Sequence, residues 1–105
     1  MENVEQLQNE IKKVKASIRN LKKKAELFSN ELINAKQKTK EAIFMRNSGS
    51  VTERLAFREI ELNQASINYE LESTKTLILF KELELERLQN QLLSATQQQE
   101  EPQPE

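Results

Sequence analysis

Cysteine, histidine, tryptophan and aspartate are missing from this chain of 105 residues; glycine occurs once and proline twice. Without Cys or His there is no zinc site of the usual ligands, no thiol nucleophile, no imidazole base and no ordinary haem ligation. Glu supplies every acidic side chain, and the Glu-x-x-His pairing of helical di-iron proteins cannot be written with this alphabet. The expectation is a non-enzyme with no cofactor and no metal. Gly49 has no glycine neighbour, so both the phosphate-binding P-loop and the dinucleotide fingerprint are missing. The longest apolar runs, Leu77 to Phe80 and Ala42 to Met45, are far shorter than the roughly 20 residues that cross a bilayer. The charged N-terminus lacks the apolar stretch of a signal peptide. A protein with no transmembrane segment and a cytoplasmic location is the default these absences suggest, and the lack of cysteine suits a reducing compartment.

Charged residues make up 31% of the chain and apolar ones 36%, too little apolar material for a compact two-layer core. Residues 3–46 and 51–96 contain neither Pro nor Gly and are rich in Lys, Glu, Gln, Leu and Ala, all strong helix formers. Two long helices are expected over those ranges, with a turn at 47–50. In that turn Asn47 and Gly49 can take up the left-handed conformation that ends a helix. Ser50 and Glu53 spell a capping box that starts the next one. The hairpin domain covers 1–96; the remaining QQQEEPQPE, residues 97–105, is polar and proline-bearing, and reads as a disordered tail.

In the first segment Val4, Leu7, Ile11, Val14, Ile18, Leu21, Ala25, Phe28, Leu32, Ala35, Thr39 and Ala42 recur at alternating intervals of three and four. A 3.5-residue period held over more than five heptads is a coiled-coil seam. In the second, the same alternation picks out Phe57, Ile60, Gln64, Ile67, Leu71, Thr74, Ile78, Lys81, Leu85, Leu88, Leu92 and Ala95. In an antiparallel hairpin the numbers of facing residues add to a constant. Ala42 with Phe57, Leu32 with Ile67, Phe28 with Leu71, Val14 with Leu85 and Leu7 with Leu92 all add to 99, which puts the reversal between Gly49 and Ser50. Seam and turn chemistry agree independently on one register. The fold class is all-α, an antiparallel two-helix coiled-coil hairpin, expected to dimerise into a four-helix bundle.

Charge is divided between the arms. Residues 1–46 carry eleven Lys or Arg against six Glu, and 51–105 carry five against eleven. Folding back sets Lys15 near Glu82, Lys36 near Glu61 and Lys24 near Glu70, with Lys22 unfavourably near Lys75. Exposed pairs of this kind contribute about 0.2–1 kcal/mol each and select register more than they stabilise.

The second helix has a further stripe on its opposite side: Leu55, Leu62, Ala65, Tyr69, Leu79, Leu83 and Leu93. These are the candidate oligomer or partner interface, because large apolar side chains left in water mark interaction surfaces. Two competing readings make the stripe the edge of one broad intramolecular face, or the face that packs on the first helix in a register adding to 97. A rod of two chains without a hairpin is a third alternative, disfavoured by Gly49 and the capping box.

Two further clusters stand out. Lys12, Lys13, Lys15, Arg19, Lys22, Lys23 and Lys24 form the densest basic patch, a weak nucleic-acid candidate because no interleaved aromatics offer base stacking. Ile43, Phe44 and Met45 crowd the end of the first helix; they either close the hairpin tip as a small core beneath the turn, which is the favoured expectation, or dock a partner. The functional expectation is a scaffold, adaptor or assembly factor acting as a homodimer and through contacts with another protein. The alternatives are a small chaperone for a client helix of a larger apparatus and a nucleic-acid-associated regulator using the basic arm.

Overall fold

The computed structural model describes residues 3–100. Among them the chain forms two α-helices and no strand: α1, Val4–Glu41, and α2, Val51–Glu100, joined through a 3-10 helix at Ile43–Met45. Together they make a two-helix hairpin. Among the described residues no helix is long and apolar enough to cross a membrane.

Each helix boundary has a local cause. Asn3 caps α1: its Oδ1 accepts the Glu5 backbone N–H at 2.9 Å and its carbonyl accepts that of Leu7 at 3.1 Å. At the far end the expected continuation to residue 46 fails, and the α-helix stops at Glu41. The chain tightens instead, with the Met45 N–H donating to the Ala42 carbonyl at 2.9 Å and the Arg46 N–H to that of Ile43 at 3.1 Å. Such i to i+3 bonds satisfy carbonyls that a helix end would leave orphaned.

No described residue has a positive φ, Gly49 included, so the left-handed stop expected at Asn47 or Gly49 does not occur. Ser48 organises the reversal. Its Oγ accepts the Ser50 backbone N–H at 3.1 Å, and its carbonyl accepts a guanidinium N–H of Arg54. That leaves only half of the capping box: the Glu53 N–H reaches Ser50 Oγ at 3.4 Å, while the amide that Glu53 would have bound is held by the nearer Ser48 hydroxyl.

Helix α2 runs to Glu100, four residues beyond the expected boundary at 96. Gln and Glu propagate a helix readily, and the first proline after Gly49 is Pro102. Residues 97–100 of the expected tail thus continue the helix, and the rest of that segment lies outside the described residues.

Contacts divide the chain into two units, one comprising the described residues up to Leu21 with those from Thr76 onward, the other Lys22–Lys75. In the first, Leu7, Ile11, Val14 and Ile18 of α1 are buried against a half-buried row of Ile78, Lys81, Leu85, Leu88, Leu92 and Ala95 on α2. In the second, Leu32 and Ala35 of α1 are buried, as are Ala42 just beyond it and Phe57, Leu71 and Thr74 of α2; Ala25, Phe28, Ile60, Gln64 and Ile67 are half-buried. Every residue of both expected seams is buried or half-buried.

The flaws in the seam are accommodated locally. The Thr74 hydroxyl donates to the Glu70 carbonyl at 2.7 Å and that of Thr39 to Ala35 at 3.0 Å, so neither brings an unsatisfied polar group into the interface. Lys81 lays its stem along the seam and extends its Nζ to Glu84 at 3.3 Å, the snorkelling geometry of a long amphipathic side chain.

Candidate functional site

A helix that buries one stripe against its partner leaves the opposite stripe in water unless something else covers it. On α2 that opposite stripe is apolar for much of its length. In the second unit Leu55, Leu62 and Tyr69 are 56%, 67% and 69% exposed, and Ala65 beside them is exposed as well. In the first unit Leu79, Leu83 and Leu93 are 67%, 44% and 58% exposed. None of the seven candidate interface residues packs on α1. This overturns both the broad intramolecular face and the register adding to 97, because either would have buried Leu62, Tyr69 and Leu79. Half-buried packing of Tyr69 is excluded by the same exposure.

Sequence reasoning missed one member of this surface. Phe80 is 65% exposed and lies beside Leu79 and Leu83 on the outer side of α2, while Leu77, 50% exposed, flanks the seam. A signal was available: a run of consecutive apolar residues must wrap the helix circumference, so a single seam buries only part of it. Ile78 is the member of Leu77–Phe80 that the seam takes up.

The hairpin tip differs from the favoured expectation. Ile43 is 53% exposed and Phe44 72%, and only Met45 is half-buried. Of Val51, Leu55 and Phe57, the partners expected for that small core at the start of the second helix, Val51 and Leu55 are exposed too, and Phe57 is buried in the seam. The core fails to form because the 3-10 turn places three residues per turn and points successive side chains in three directions. What the tip contains instead is an open groove of about 490 Å³ whose border includes Arg46, Val51, Arg54, Leu55 and Arg58.

The basic residues remain on the surface. Lys12, Lys13, Lys15 and Arg19 in the first unit, and Lys22, Lys23 and Lys24 in the second, are all exposed. Lys24 holds its Nζ 5.8 Å from the centre of the Phe28 ring, a cation–π placement that covers a half-buried seam residue. None of the anticipated pairs Lys15–Glu82, Lys24–Glu70 and Lys36–Glu61 closes to an ion pair. The pairs that do form, Lys75–Glu72 at 3.4 Å and Lys81–Glu84 at 3.3 Å, lie within α2 at i,i+3 spacing. Proximity within one helix fixes the geometry of such pairs, whereas an exposed pair across the hairpin must restrain two long side chains for little return.

Chemically, the α2 outer stripe offers apolar area for another helix, while the basic cluster offers charge without interleaved aromatics for base stacking. Comparison with protein-family models, with curated proteins and with solved structures yields no match for this chain.

Proposed function

We propose that the chain is a non-enzymatic helical scaffold, adaptor or assembly factor that acts by self-association, two hairpins meeting through the outer stripe of α2 to make a four-helix bundle. The observation that carries this reading is the exposure of Leu62, Tyr69 and Leu79, each about two-thirds open to solvent on a helix whose other side is already occupied. Burying a large apolar side chain contributes roughly 1.5–3 kcal/mol, which matters for a hairpin with so thin a core of its own. A second copy offers the same stripe in equal concentration, and a two-fold interface uses one patch twice.

Light scattering across a concentration series tests it. The chain is expected at twice its formula mass in the micromolar range, and Tyr69→Glu or Leu79→Glu is expected to return it to the monomer with its helical circular dichroism intact. A wild-type monomer at high micromolar concentration would refute self-association. Binding of a hydrophobic dye by that monomer would favour a chaperone that receives a client helix on the same face.

A further inference from the structure

We infer that the second copy lies antiparallel along α2, centred near Thr74, with facing stripe residues whose numbers add to 148. This rests on the self-association proposed above and adds its direction and register. The outer stripe is itself a heptad seam: Leu55, Arg58, Leu62, Ala65, Tyr69, Glu72, Thr76, Leu79, Leu83, Glu86, Asn90 and Leu93 alternate at intervals of three and four. The question is what each of these meets.

In a parallel pair every seam residue meets its own twin. Arg58 would face Arg58, Glu72 would face Glu72 and Glu86 would face Glu86, three like-charge layers in an interface that must exclude water. An antiparallel pair centred near Thr74 has none. Leu55 meets Leu93 of the second copy, Ala65 meets Leu83 and Tyr69 meets Leu79, each contact made twice by symmetry. The small Ala65 facing a leucine and Tyr69 facing another keep the layers even in volume. Of the polar positions, Arg58 meets Asn90, Glu72 meets Thr76 and Glu86 meets Leu62, the one layer that sets a charge against an apolar side chain; Arg58 lies one turn from that Glu86 of the second copy and offers it a counter-charge.

The flanks agree. Glu59 falls beside Arg87 of the second copy on both sides of the axis, an opposite-charge pair at the positions that set partner orientation in coiled coils. Lys75 approaches its own twin, and its ion pair with Glu72 at 3.4 Å offsets that repulsion. Sliding the second copy by one heptad in either direction loses all three apolar pairs and offers a single other one, Leu62 with Leu79 or Leu62 with Leu93 of the second copy, so the count of apolar pairs favours the sum of 148. The area is adequate as well. Six large stripe residues with roughly 100 Å² each still exposed come to about 600 Å² per copy, near the roughly 800 Å² per partner of a standard interface.

The natural chain has no cysteine, which makes cross-linking clean. Tyr69→Cys and Leu79→Cys chains, mixed and gently oxidised, are expected to give a covalent dimer, and each chain oxidised alone is expected to give little. As a second measurement that leaves the apolar stripe untouched, Glu59→Arg alone and Arg87→Glu alone are each expected to weaken dimerisation roughly three- to tenfold, with recovery when both changes are in one chain. A dimer in which each single-cysteine chain cross-links to its own twin, or in which the charge exchange gives no recovery, would overturn the antiparallel register and leave self-association standing. A wild-type monomer would overturn both.

Discussion

Phe44 and Phe57 are the same residue type on either side of one turn, and their environments are opposite. Phe57 is 3% exposed in the seam, and Phe44 is 72% exposed on the 3-10 turn. Truncating a buried phenylalanine removes its transfer free energy and leaves a cavity, about 3–5 kcal/mol together. Truncating an exposed one removes little. Thermal melts should therefore show a loss of many degrees for Phe57→Ala and a shift of no more than about 2 °C for Phe44→Ala, consistent with substitution away from the core. Equal losses would mean that Phe44 is packed after all. At this scale burial in the seam was legible from spacing alone, since alternating intervals of three and four bring those residues to one face. Exposure at the tip was not, because Ile43, Phe44 and Met45 read as apolar whichever way the turn directs them.

The two helices begin and end for reasons held within a few residues. Their existence follows from long stretches of strong helix formers without Pro or Gly, and the reversal follows from Asn47-Ser48-Gly49-Ser50. The conformation of the reversal does not follow, because the Ser48 hydroxyl and the Glu53 carboxylate can each take the Ser50 backbone N–H and only the geometry shows that Ser48 does. Gly49 is the instructive case. Its φ is not positive, and a Cβ added there would meet nothing within 4 Å. Gly49→Ala is therefore expected to stabilise the chain by about 0.4–1 kcal/mol by reducing the freedom of the unfolded state, read as an increase in the urea midpoint. A marked destabilisation would show that the turn needs a left-handed residue. The unmet interhelical ion pairs make the same point about elements: charge sorted by arm indicates which helix faces which, and says little about which side chains close on one another.

For the molecule as a whole, what matters is that a hairpin using one seam leaves α2 half unsatisfied. Folding and association are then linked, because a second copy that binds only the folded hairpin stabilises it by mass action. The melting temperature should rise with protein concentration in the wild type and become independent of it in Leu79→Glu. A concentration-independent wild type would mean that the hairpin is stable without a partner. The candidate interface itself was legible in the sequence as a second heptad stripe, apart from Phe80, which falls at its edge where a strict heptad count does not reach.

Composition and spacing by themselves determined the two helices, the place of the reversal and which residues of each helix form the buried seam, because each depends on local propensity or on a period that survives without coordinates. Only the tertiary structure decided which of two apolar stripes on α2 packs on α1. Both stripes carry large hydrophobic side chains at helical spacing, and a period cannot tell which is inside. Burial does: the stripe of Phe57, Leu71 and Thr74 is closed off from water, and that of Leu62, Tyr69 and Leu79 stays open.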